Sequence, residues 1–151
     1  MKIQPVKVAI VGCGGISDSY ISTMMNKFKI LEVVGCYDRN AEKMNAKSQK
    51  YGIKAMTPEE ILEDPSIEIV VNLTAPTGHY AVIKQLLEAG KHVYTEKTMT
   101  VELEHAAELV KIADEKSLYL GAAPDTFLGS AIQTARYVVD SGIIGDVTSC
   151  Y

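Results

Sequence analysis

Long apolar runs are missing from this sequence, which argues against a membrane-spanning helix. The first apolar stretch, Val8–Val11, follows Gln4 and Pro5 closely and is too short for a signal-peptide core or a bilayer span. Runs of Lys and Arg are also missing. The formal net charge is -4, a sign that repels a phosphate backbone, so no nucleic acid partner is expected, and the same acidity does not suggest membrane adhesion. Cysteine is scarce: Cys13, Cys36 and Cys150 form no CxxC pair and leave an odd count. They read as free thiols in a reducing compartment, and the expected location is cytoplasmic. His92 and His105 read as structural, and no metal is expected, because no histidine has a ligand partner at suitable spacing. Repeats of solenoid period and low-complexity segments are absent too.

What remains is the composition of one ordinary globular domain, with 47% hydrophobic and 23% charged residues in a chain of 151. Strand-length apolar runs alternate with stretches of helical period, the pattern of repeated βαβ units. Strands are expected at Val6 to Val11, Leu31 to Asp38, around Lys54 to Met56, at Ile67 to Leu73, His92 to Thr95 and Leu118 to Gly121. Helices are expected at Ser17 to Phe28, from Asn40 to Tyr51, after Thr57, after a turn through Thr74, Ala75 and Pro76 with His79 opening the helix and Gly90 ending it, from Thr100 to Lys116 and at Ser130 to Ser141. Asn40 is a plausible N-cap, Gly52 a helix stop, and Thr57 with Glu60 a capping box. Six strands joined by right-handed crossovers give an α/β doubly wound parallel sheet of order 3-2-1-4-5-6, a dinucleotide-binding Rossmann fold. Its ligand is expected at the carboxyl ends of the first and fourth strands. A strand-like Val147 to Tyr151 has no partner after it, so residues 1–145 are expected to form the dinucleotide domain and 146–151 the start of a further, missing one.

The chemistry sits at the strand ends. VAIVGCGGIS places Gly12 and Gly14 where a buried strand hands over to a helix, with Ser17 as the third small residue. Gly12 permits the tight turn. Gly14 lets the backbone approach a pyrophosphate, and the helix start after Cys13, Gly15 and Ile16 offers N–H groups and the positive end of a dipole. The same glycines would also serve a plain tight turn. Asp38 ends the second strand near the spacing at which a carboxylate reaches the adenosine ribose, and its charge favours NAD over NADP. It is equally suited to capping the next helix. Arg39 offers a phosphate partner or a cover for adenine, or is a solvated charge. Glu96 and Lys97 follow the fifth strand on the same sheet edge, where a Glu-Lys pair is otherwise ordinary surface charge.

Three segments taken together resemble the Gfo/Idh/MocA oxidoreductases, among them glucose-fructose oxidoreductase and inositol dehydrogenase. These are the glycine-rich start, TAPTGHYAVIKQLLEAGKHVYTEKT (Thr74 to Thr98) and GAAPDTFLGSAIQTARYVVDSGIIGDV (Gly121 to Val147). The His, the AGKHV and the EK of the middle segment recur in that family at this spacing, and the resemblance covers the whole chain. It implies that Lys97 is the catalytic-site lysine and Glu96 its neighbour near the nicotinamide ribose, with Thr74, Ala75, Pro76 and Thr77 lining the cofactor. It places His79 beside the cleft, where it either positions nicotinamide or substrate or packs at a helix start. It places Asp125, Thr126 and Phe127 facing the active site, where a plain turn is the alternative. The family's Glu-Lys-Pro reads Glu96, Lys97, Thr98 here. A cis bond before a residue other than proline costs about 2.5–4 kcal/mol, so a trans Lys97–Thr98 bond is expected.

The implied activity is hydride transfer between a sugar or cyclic polyol and a nicotinamide cofactor, NAD with NADP possible. The resemblance assigns the general base, the substrate residues and a homo-oligomer interface to an α+β domain that follows in the family, so this chain by itself is expected to be inactive. A non-catalytic NAD(P)-sensing regulator, or the cofactor domain of another Rossmann dehydrogenase, are the alternatives.

Overall fold

The computed structural model describes residues 4–124 and 126–149. Its elements run β1 (Val6–Val11), α1 (Ser17–Lys27), β2 (Leu31–Tyr37), α2 (Ala41–Tyr51), β3 (Lys54–Ala55), α3 (Pro58–Glu63), β4 (Ile67–Asn72), α4 (Pro76–Glu88), β5 (His92–Thr95), α5 (Leu103–Glu115), β6 (Leu120–Ala122) and α6 (Ser130–Asp140). The six strands form one sheet in the order β3-β2-β1-β4-β5-β6, and every pairing is parallel. This is the expected doubly wound sheet.

Alternation along β1 divides the core between two faces. Ala9 and Val11 join Ile61 of α3, Ile83, Leu86 and Leu87 of α4, and Leu109 and Ala113 of α5. Val8 and Ile10 join Ile21 and Met24 of α1, with Met44 and Tyr51 of α2 packed against them. Burial on both faces explains why β1 and β4 read as unbroken apolar runs. Because β2 and β4 flank β1 and their crossovers leave on opposite faces, a crevice opens at the carboxyl ends of β1 and β4.

Local signals set most boundaries. Asn40 caps α2 through its side chain, which accepts from the Lys43 N–H, and Gly52 ends that helix in the left-handed region at φ 65°. Thr57 and Glu60 form the capping box of α3. Two expectations shift. The Thr100 hydroxyl donates to the Glu102 carbonyl at 2.7 Å, and this local turn delays α5 to Leu103. Ser117 is left-handed at φ 55°, so the chain is still turning at Leu118 and β6 begins only at Leu120. Val147–Ser149 form no strand, while Cys150 and Tyr151 lie outside the described residues. Cys13 and Cys36 are free, buried thiols. No helix among the described residues is long and apolar enough to cross a membrane.

Candidate cofactor-binding site

The turn after β1 is built around Gly12. Its φ is +103°, and a Cβ there would stand 2.6 Å from the Leu73 carbonyl carbon and oxygen and 2.8 Å from the Thr74 nitrogen. Backbone conformation and crowding by the β4 end both demand glycine. Gly14 and Gly15 are bare for a different reason: no protein atom lies within 4 Å of the Cβ either would carry. Both positions therefore face open space. The Ser17 hydroxyl donates to the Gly14 carbonyl at 2.6 Å and fixes the turn, while no side chain caps the start of α1. The first N–H groups of α1 are therefore left without a side-chain acceptor.

Asp38 stands across the crevice and is tied to this turn. One carboxylate oxygen accepts from the Cys13 N–H at 2.7 Å and the other from the Asn40 N–H at 2.8 Å. Asp38 is not the cap of α2, because Asn40 holds that position. Each oxygen keeps a further lone pair for an incoming hydroxyl. A cleft of about 660 Å³ runs between these groups, walled by Gly12, Gly14, Asp38, Arg39, Thr74 and Ala75. Lys43 and Gly78 also line it, though the sequence did not single them out. Lys43 reads as one more charge on a polar helix, and Gly78 is hidden within the first turn of α4. Cys13, Gly15, Ile16, Pro76, His79, Glu96 and Lys97 are not on this wall. Cys13 contributes its amide to Asp38. Its thiol is pushed up by a hydrogen bond with Cys36 and by burial, which favours the protonated form.

A second set of contacts lies behind the ends of β4 and β5. Buried Asn72 donates to the Thr95 hydroxyl at 3.0 Å and accepts from the Thr74 hydroxyl at 2.7 Å, so one amide aligns two loops. Tyr20 reaches from α1 to donate to Glu96 at 2.7 Å, and the other Glu96 oxygen accepts from the Lys97 N–H at 2.9 Å. Burial and the adjacent Glu96 carboxylate push the Tyr20 phenol up, so it remains the donor of this bond. Polar residues ending buried apolar strands were the available signal for Asn72 and Thr95. No local signal pointed to Tyr20, whose partner is 76 residues away.

Lys97 is exposed at the sheet edge. The Lys97–Thr98 bond is cis, which corrects the trans expectation. That expectation used the preference of an isolated peptide, whereas tertiary hydrogen bonds here hold the Lys97 amide from Glu96 and the Thr98 carbonyl from His79. His79 is fully buried beneath the loops. His92 accepts from the Tyr119 N–H at 2.9 Å, and His105 stacks on Tyr80 with ring centroids 3.8 Å apart. Thr126 and Phe127 are exposed on a short 3-10 turn away from the cleft wall, and Asp125 lies outside the described residues. Among the described residues no group of three or more His, Cys, Asp or Glu is placed to hold a metal ion.

A glycine turn, a facing carboxylate and an open switch point are now matched by a family model. Residues 6–123 fit the oxidoreductase family with an NAD-binding Rossmann fold, GFO_IDH_MocA. The chain belongs to the Gfo/Idh/MocA oxidoreductase family. It is 33% identical over 152 residues to an uncharacterised oxidoreductase of Schizosaccharomyces pombe, an alignment covering 96% of this chain and 40% of that protein. It is 27% identical to the scyllo-inositol 2-dehydrogenase (NADP(+)) of Bacillus subtilis, covering 98% and 41%. Among solved structures, the WlbA dehydrogenase from Bordetella pertussis, in complex with NADH and UDP-GlcNAcA, shares the fold with a TM-score of 0.87 at 23% identity, covering 96% and 42%. The chain thus spans about two fifths of the length of each of these two curated relatives.

Proposed function

We propose that residues 1–145 are the cofactor domain of a longer oxidoreductase that moves a hydride between a sugar or cyclic polyol and NAD, with Asp38 setting the preference for NAD. The observation that carries this reading is the Gly14–Asp38 cleft: open backbone at a helix start on one side, and a carboxylate with unused lone pairs one strand away. Gly12, Cys13, Gly14, Gly15 and Ile16 hold the pyrophosphate end, Asp38 accepts from the ribose diol, and Arg39 lies against the adenine side. Thr74, Ala75 and Pro76 support the nicotinamide half. Asp38 repels a 2′-phosphate, while Arg39 and Lys43 on the same wall attract one, and the carboxylate at the end of β2 decides the balance.

When bound, the nicotinamide supplies a hydride acceptor or donor at the sheet edge. Lys97 is the group placed to stabilise negative charge developing on the substrate oxygen, and the Tyr20–Glu96–Lys97 chain of hydrogen bonds orients its backbone. Thr126, Phe127 and Asp125 are the substrate-side candidates. The relatives' additional length supports a second domain that supplies the proton acceptor, the rest of the substrate site and an oligomer interface. In a screen of sugars and cyclic polyols, we expect the longer protein to reduce NAD and the 151-residue chain to give no turnover. Replacing Lys97 by Ala in the longer protein should lower kcat by about two orders of magnitude or more. Full activity of Lys97→Ala, or robust turnover by the 151-residue chain, would overturn this reading.

A further inference from the structure

His79 occupies the first turn of α4, is completely buried, and touches the two loops on which the site is built. Its Nδ1 lies 2.7 Å from the Thr98 carbonyl oxygen and its Nε2 lies 2.8 Å from the Thr74 carbonyl oxygen. A carbonyl oxygen brings no proton to a hydrogen bond. Both protons must therefore come from the ring, and a neutral imidazole carries only one N–H. A bare ring nitrogen at either distance would set lone pair against lone pair. The Thr74 hydroxyl offers no way out, since it already donates to Asn72.

We propose that His79 is held as an imidazolium and is a positioning residue: its two N–H groups staple the Thr74 loop, which walls the cleft, to the loop that carries Glu96 and Lys97. The proposal rests on the NAD reading of that cleft. Other roles fit less well. A metal ligand or a general base needs a free ring nitrogen and access, and this ring has neither. A helix cap accepts from its own helix, whereas both partners here lie outside α4. The positive end of α4 and the nearby Lys97 oppose a cation at this position. Charge-assisted hydrogen bonds offset them, being shorter and about twice as strong as neutral ones, and both contacts lie at the short end of the N–H···O range. Glu96, two residues before Thr98, adds a negative charge on the stapled loop. The staple fixes where Lys97 leaves the sheet edge relative to the cofactor wall, and it acts through backbone carbonyls without touching either ligand.

The test is nitrogen NMR of the chain labelled with ¹⁵N-histidine at neutral pH, with His92→Gln and His105→Gln used for assignment. Two protonated ring nitrogens are expected for His79. His92, whose Nδ1 accepts from Tyr119, should show one bare nitrogen and so provides the internal contrast. In parallel, NAD titration of the wild type, His79→Gln and His79→Ala should show binding weakened by about tenfold or more in both variants, since neither can donate to both carbonyls. One bare nitrogen on His79, or wild-type affinity in folded His79→Gln, would overturn the inference. If a variant fails to fold, the wild-type ring spectrum decides. Absence of NAD binding by the wild type would instead count against the functional reading of the cleft and leave the ring result standing.

Discussion

Gly12 and Gly14, two residues apart, do different work, and substitution separates them. Gly12→Ala puts a Cβ against the Leu73 carbonyl in a left-handed backbone, and we expect a loss of about 1–3 kcal/mol in urea denaturation. A Cβ at Gly14 meets nothing within 4 Å beyond its chain neighbours, so the stability of Gly14→Val should stay within about 0.5 kcal/mol of wild type while NAD affinity falls at least tenfold, by about 1.4 kcal/mol. A Gly14→Val protein that binds as well as wild type would show that the open space is not the pyrophosphate site. The motif was legible as a motif. Its division of labour was not, because the reason for Gly12 lies in Leu73 and Thr74, some sixty residues away, while the reason for Gly14 is space.

At the scale of elements, period and punctuation were enough to order strands and helices, since buried parallel strands and capped amphipathic helices carry strong local patterns. Asn40, Gly52, Thr57 and Glu60 mark ends where the structure puts them. Contacts between elements were not legible, and Asp18 is a clear case. From the first turn of α1 it bonds Lys47, Lys50 and Tyr51 of α2 at 2.7, 3.1 and 2.8 Å. These partners, Lys47 first, hold its carboxyl well below the usual carboxylate range. A group easier to ionise in the folded chain adds stability above its unfolded value of about 3.9, and that share is lost as pH falls through the lower folded value. The stability advantage of wild type over Asp18→Asn should therefore be constant from neutral pH to about pH 5 and shrink below about pH 4. An advantage that grows in acid would contradict the assignment.

For the molecule as a whole, sheet order was legible because right-handed crossovers leave only a handful of arrangements and the glycine-rich turn after β1 points to the dinucleotide-binding one among them. That is why the crevice at the ends of β1 and β4 was predictable before any distance was known. The second network, joining Asn72, Thr95, Thr74, His79 and Thr98, was not: it exists only once two strand ends lie side by side. The central claim remains that the Gly14–Asp38 cleft binds NAD. Calorimetric titration of the chain with NAD and NADP, repeated on Asp38→Ala, tests it most directly. The account predicts saturable one-to-one NAD binding that is tighter than NADP binding, with the preference lost or reversed in Asp38→Ala. NAD binding that is absent from the wild type, or undisturbed when Asp38 is removed, would contradict it.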